Sequence, residues 1–254
     1  MRVLVCVKRV PAPGARINLT EDARAVDARH LSFTVSPHEE CAVEEAIRLK
    51  EIHGGAVTVM TLGPVEAEEQ LRYAVSVGAD RAALLVTDGS DWDPQATAAA
   101  LATRIAELEA ADGAFDLILV GNESADSGGY QVGIRIAHVL SRPIIGGIKG
   151  LTVEDGLVSA RRETGSAVEV YRLPLPAVVA VKEGINLPRY PTLPGRLKAK
   201  KTEVASTPAA ATPGGLVMNR LVTPAEQKTS TTILGRGPEA APAVVDLLEE
   251  LGLL

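Results

Sequence analysis

Aromatic side chains are scarce in this sequence: one Trp, two Phe and four Tyr among 254 residues. A ring-packed core is therefore excluded. The 46% apolar content must pack through Ala, Val, Leu and Ile, as happens where β-branched strands are covered by Ala-rich helices. The two cysteines, Cys6 and Cys41, lack CxxC spacing, which excludes a disulfide framework or a cysteine zinc site and fits a reducing compartment. His30, His38, His53 and His138 are scattered without metal-ligand spacing, so no metal site is expected. No apolar run is long enough to span a membrane, and the run within Met1–Lys8 is too short for a secretory signal, so a soluble, cytoplasmic protein is expected. Net charge is −6, which argues against a general nucleic-acid binder.

Catalytic signatures are also missing. There is no Gly-x-Gly-x-x-Gly or GK[ST] loop, so neither the Rossmann fingerprint nor the Walker loop is present. No Ser or Cys sits in a nucleophile elbow. The acids Glu44/Glu45 and Glu66/Glu68/Glu69 fall on predicted helix faces, where solvation is their expected role. No catalytic residue is assigned.

What is present is an alternation of short β-branched runs with helical patterns. Strands are predicted over 3–7, 56–62, 81–87 and 116–121, and helices over 37–53, 64–77, 94–110 and 129–140. Ser36 and Glu39 have capping-box spacing, and Pro37 falls at the first helical position. This order implies an α/β fold with a parallel, doubly wound sheet. Beyond residue 150 the pattern changes. Asp155-Gly156 marks a hairpin within 151–158, and 167–172 and 177–181 read as further strands. Residues 202–232, rich in Thr, Ala, Pro, Gly and Ser, read as an extended arm, with an amphipathic helix at 242–251. Two regions follow: an α/β nucleotide-binding domain over 1–201, and an arm with its helix over 202–254.

Two segments carry chemistry. The fourth strand runs into Asn122-Glu-Ser-Ala-Asp-Ser-Gly-Gly-Tyr-Gln-Val-Gly133. Open parallel sheets bind ligands beyond the carboxyl ends of their strands, and a glycine-rich turn feeding a helix N-terminus suits a phosphate. Gly128 and Gly129 allow close backbone approach, Ser127 and Gln131 can donate, and Asp126 can accept from a ribose hydroxyl or cap the helix. The second segment, 186–201, holds Pro188, Pro191 and Pro194, which predict that no helix forms there. Residues 161–201 contain nine Arg/Lys against three Glu, a local +6 on an acidic chain. A stiff, basic loop presenting Leu187, Tyr190, Leu193 and Leu197 suits a specific partner.

Residues 3–11, 42–51, Gly78-Ala-Asp-Arg81, the 122–133 loop and 186–201, in that order, resemble the beta-subunit family of electron transfer flavoproteins. The resemblance runs from the N-terminus to about residue 201. It implies a sheet of the adenine nucleotide alpha hydrolase-like kind, with a C-terminal hairpin region and an extended arm ending in a helix that packs on a partner. It also implies a heterodimer with an alpha subunit that holds most of a redox-active FAD, while this chain binds a structural AMP. Onto the AMP pocket the resemblance maps Cys6, Ser36, Pro37, His38, Glu39, Leu62, Gly121, Asn122, Glu123, Ser124, Asp126, Ser127, Gly128, Gly129, Tyr130, Gln131, Val132 and Gly133. The recognition loop becomes 183–201, with Leu193 the anchor for partner dehydrogenases and Arg189, Tyr190, Lys198 and Lys201 beside it. Electrons would pass from acyl-CoA-type or related flavoprotein dehydrogenases toward a membrane quinone oxidoreductase. Ser36-Pro37 stands where the family often has Asn-Pro, and Pro13 lies where an aromatic is usual near the flavin. Three alternatives remain: a bifurcating form with a second FAD in place of AMP, an ATP-using enzyme of the adenine nucleotide hydrolase type, and a stand-alone regulator of the universal-stress type.

Overall fold

The computed structural model describes residues 1–211, 215–224 and 231–254, which fall into two compact units, Met1–Arg220 and Leu221–Leu254. In the first unit the opening apolar run forms β1 (Arg2–Cys6). A short ribbon of β2 (Arg9–Pro11) and β3 (Phe33–Val35) follows, then α1 (Pro37–His53), β4 (Ala56–Gly63), α2 (Glu68–Val77) and β5 (Arg81–Val86). Next come α3 (Pro94–Asp112), β6 (Leu117–Gly121) and α4 (Val132–Val139). The unit continues through β7 (Ile144–Glu154), β8 (Leu157–Glu163), β9 (Val168–Pro174), β10 (Ala177–Val181), α5 (Leu193–Lys201) and β11 (Val204–Pro208).

Nine strands form one sheet in the order β11-β5-β4-β1-β6-β10-β7-β8-β9. Pairing is parallel from β11 to β7 and antiparallel through β8 and β9. Val3 and Val5 pack with Ala42, Ala46, Ile47 and Leu71 of α1 and α2. Leu4 and Cys6 pack with Leu101, Ile105 and Ile136 of α3 and α4. The two-residue period sends alternate side chains to opposite faces, and with helices on both faces every position of the strand must be apolar. Caps set the helix starts. Pro37 opens α1, and Asp93 accepts from the Gln95 N–H at 2.8 Å to open α3.

The β7–β8 hairpin turns at Asp155 and Gly156, both at positive φ, as a two-residue hairpin loop requires. Its strands reach well beyond 151–158. Two expectations are corrected. First, Leu193–Lys201 is helical despite the three prolines. Pro194 lies in the first turn, where its missing N–H would have no intrahelical partner. Thr192 Oγ1 then accepts from the Gly195 N–H at 3.1 Å, so the prolines keep the chain out of a helix only as far as Thr192. Second, the stretch read as an arm from 202 contributes β11, a parallel edge strand on β5. Of 202–232, residues 212–214 and 225–230 lie outside the described residues. In the second unit, α6 (Ala241–Glu250) forms where an amphipathic helix was expected, and none of its residues is buried.

Candidate functional site

From β1 the chain moves outward through β4 and β5, then returns to β6 on the other side of β1. The direction of winding reverses between β1 and β6, which opens a crevice at their carboxyl ends. Cys6 pairs in register with Val120 at this point. Just beyond, the Lys8 N–H donates to Glu39 Oε2 at 2.6 Å, and Lys8 Nζ lies 2.6 Å from Asp126 Oδ2 and 3.4 Å from Ser127 Oγ. The chain end of β1, the start of α1 and the loop after β6 therefore meet at one lysine.

The loop is shaped by its own hydrogen bonds. Ser124 and Ser127 hydroxyls are 2.8 Å apart, the Gly128 N–H donates to Ser124 O at 3.0 Å, and the Ser127 N–H donates to Asp126 Oδ1 at 2.7 Å. Gly128 sits at φ +55° with open space where a Cβ would be. Val132 and Gly133 begin α4, and their N–H groups have no intrahelical acceptor. A Cβ on Gly121 would lie 2.6 Å from Glu39 Cγ, and one on Gly133 would lie 2.6 Å from Val120 Cγ2. Glycine is thus what lets α1 and α4 close over the strand ends. Tyr130, at positive φ, is exposed.

Other expected site residues brace the crevice. His38 Nδ1 accepts from the Glu183 N–H at 2.7 Å, leaving Nε2 to donate to Glu123 Oε1 at 3.1 Å. Asn122 donates its N–H to Val181 O at 2.8 Å and accepts from the Gly147 N–H at 2.7 Å through Oδ1. Leu62 lies near the end of β4, packed beside Met60 and Cys6. The capping box is corrected: the Ser36 hydroxyl makes no capping bond and is buried without a partner. Asp126 neither caps α4 nor stands free, because Lys8 holds it. Two groups fall outside the residues the sequence indicated. Lys8 is signalled only by a charge directly after a buried strand. Thr61, whose hydroxyl is also buried and unpartnered, carries no sequence signal.

Burial dominates the electrostatics. It pushes the Glu39 carboxyl up to about 8 against the opposing Lys8 N–H, and with Glu39 nearby it pushes the Cys6 thiol up to about 12. Burial also acts to raise Asp126, but the Lys8 ammonium and neighbouring donors prevail and hold it below the ordinary carboxylate range. Both cysteines are free and buried. Among the described residues no group of three His, Cys, Asp or Glu could hold a metal, and no helix is long and apolar enough to cross a membrane.

The basic segment is less free than its composition suggests. Arg189 pairs with Glu44 and Glu51, and Lys198 lies near Asp80, so these two cations are engaged within the chain. Glu44 and Glu45 are buried, which corrects the solvated role expected of them. Leu187, Tyr190, Leu193 and Leu197 stay exposed, as expected. An open glycine at 128 and the amino end of α4 suit an anionic group such as a phosphate, and the buried hydroxyls of Ser36 and Thr61 are left without partners nearby in the chain.

The sequence model of the electron transfer flavoprotein domain matches residues 25–212. The electron transfer flavoprotein subunit beta of Bacillus subtilis (strain 168) is 40% identical over 170 residues, covering 66% of this chain and 65% of that protein. That of Mycobacterium leprae (strain TN) is 37% identical over 208 residues, covering 80% and 77%. Protein FixA of Sinorhizobium fredii (strain NBRC 101917 / NGR234) is 31% identical over 209 residues, covering 80% and 73%. A doubly wound sheet with a glycine-rich crevice at its switch point, matched over most of the chain, places this protein in the electron transfer flavoprotein family, with the beta subunits.

Proposed function

We propose that this chain works in the cytoplasm as one half of a heterodimer with an electron transfer flavoprotein alpha subunit, binding AMP as a structural nucleotide and helping to enclose an FAD held mainly by that partner. The observation that carries this reading is the meeting of Lys8, Glu39 and the Ser124–Gly129 loop at the β1–β6 switch point, with the amino end of α4 behind it. Gly129 and the first N–H groups of α4 would take the phosphate, with the bare Gly128 allowing its close approach and Lys8 as the nearby cation. Ser36 and Thr61 would find partners on the nucleoside or on water held by it.

A bound flavin would supply the one-electron redox chemistry between a flavoprotein dehydrogenase and a membrane quinone oxidoreductase. This chain's part is position. Its crevice holds a nucleotide that stiffens the sheet end, Leu193 docks on the dehydrogenase, and the Leu221–Leu254 unit lies on the alpha subunit. Such docking should be fast, weak and sensitive to salt.

The test is to co-produce the chain with its alpha subunit, purify the complex and release its nucleotides by denaturation. One FAD and one AMP per heterodimer supports the reading. Two FAD and no AMP replaces AMP with a second flavin in this crevice. A stable colourless complex, or one that consumes ATP, ends the carrier reading.

A further inference from the structure

Residues 182–192, between β10 and α5, contain neither helix nor strand, yet they are pinned along their length. At the root, Asn186 Nδ2 donates to Cys41 O at 3.0 Å and to Glu45 Oε2 at 2.9 Å. In the middle, Arg189 donates through Nε to Glu44 Oε2 at 2.8 Å and through Nη2 to Glu44 Oε1 at 3.1 Å. The same guanidinium reaches Glu51 Oε1 through Nη1 at 2.6 Å and Glu51 Oε2 through Nη2 at 3.1 Å. Past the segment, Lys198 Nζ donates to Ala79 O at 3.0 Å.

Glu44 and Glu51 are seven residues apart, two turns of α1, and therefore share a face. One planar fork bridging both carboxylates fixes direction as well as distance, which a lysine would not do. Glu44 is 4% exposed, and its carboxylate is paired with Arg189 and with Arg48, whose Nε is 3.1 Å away. Around this partly buried attachment the apolar side chains are left outside: Leu187 is 85% exposed, Tyr190 91% and Leu193 73%. An exposed apolar trio on a chain held by a fork anchored on a buried carboxylate has met its ordering cost on folding and not on docking.

We infer that Arg189 is a positioning residue: its fork onto Glu44 and Glu51 sets Leu187, Tyr190 and Leu193 in place for an apolar pocket on a partner flavoprotein, and Arg189 itself stays out of the contact. This rests on the docking role proposed above. Its two carboxylates already neutralise it, so it offers a partner little charge. The exposed Lys201, for which no ion pair is found among the described residues, is left to steer encounter.

The experiment uses the heterodimer and a purified acyl-CoA dehydrogenase reduced by its substrate, with flavin reduction followed at several ionic strengths. Arg189→Gln/Glu44→Gln removes the fork without changing net charge. It should raise the apparent KM for the carrier about tenfold, leave kcat and the salt dependence unchanged, and speed amide exchange at 187–192. Glu51→Gln, at an exposed carboxylate, should shift KM the same way by about threefold and decides the matter if the double variant fails to assemble. Lys201→Gln should flatten the salt dependence instead. Leu193→Ala should cost transfer with assembly intact. If Leu193→Ala weakens transfer while the fork variants keep KM within about twofold, the positioning role is overturned and docking stands. A KM shift accompanied by a flatter salt dependence makes Arg189 a direct contact and also overturns it. If neither Leu193→Ala nor the fork variants affect transfer, the docking reading itself falls.

Discussion

The backbone N–H of Lys8, two residues past the end of β1, donates to the carboxyl of Glu39 on α1 at 2.6 Å. This bond fastens the first helix over the switch point while leaving an acid where little water reaches. Its consequence for stability depends on pH.

Glu39 titrates at about 8 in the folded chain, above its ordinary value of 4.5, because it is buried. The folded state thus keeps a proton that the unfolded chain has lost throughout this window. Stability from this group is fully present below pH 4.5 and falls as pH rises toward 8. Glu39→Gln keeps an acceptor for Lys8 and removes the titration. Its advantage over wild type should grow from pH 5 to pH 8 by at most about 1.4 kcal/mol per pH unit, then level off. Urea midpoints at those two pH values provide the check, and parallel pH profiles would count against a buried neutral acid.

Asp80 titrates in the opposite sense. Burial acts to raise it, but the Val57 N–H, Lys50 and Lys198 outweigh that and lower it from the ordinary 3.8. Its contribution is present above pH 3.8 and lost as pH falls through the depressed value. Asp80→Asn should cost about 1–2 kcal/mol near neutrality, since the group is partly exposed, and should flatten the acid limb of the unfolding curve. Thermal midpoints between pH 3 and pH 7 test both statements.

Gly133→Ala sets two effects against each other. Alanine gains at most about 1 kcal/mol over glycine in a helix, and less in a first turn such as this. The new Cβ would stand 2.6 Å from Val120 Cγ2, on a buried, β-branched side chain with little rotamer freedom, and overpacking of that kind costs about 1–3 kcal/mol. The clash should prevail. The variant is expected to be less stable and to retain less AMP after purification of the heterodimer, read by nucleotide release. A more stable variant with full AMP content would contradict the close packing of α4.

Gly195→Ala probes α5. A Cβ there would fall 2.1 Å from the backbone oxygen of Ser76, which cannot swing aside as a side-chain tip can. Separation of α5 from α2 should cost about 2–3 kcal/mol. Trypsin should then cleave faster among Arg196, Lys198, Lys200 and Lys201, and unchanged digestion would show that the two helices do not touch so closely.

Much of this molecule is local in origin and therefore legible in order. The β-branched runs at Val3–Val5 and Val57–Met60, the Pro37 start and the Asp155-Gly156 turn each act on neighbours within a few residues, so strands, α1 and the hairpin follow from pattern alone. The glycine-rich loop after β6 is legible for the same reason, because strand order and turn chemistry place it at a carboxyl end. Where pattern misled, the partner was distant or the position mattered more than the residue. Pro194 excludes a helix interior but not a first turn, and Thr192 made it a start. β11 has an unremarkable Val-Ala-Ser-Thr-Pro composition, because an edge strand is held by backbone bonds to β5 that composition does not encode.

By itself, then, the sequence determined the alternation of strand and helix, the crevice loop and the apolar residues of the 186–201 segment. Only the tertiary structure decided which charges are free. Glu44 looks like a solvated helix acid until Arg189 arrives from 145 residues away, and Lys8 looks like a surface lysine until the loop after β6 brings Asp126 beside it. A charge is settled by whatever meets it in space, and long-range encounters leave no mark in local pattern.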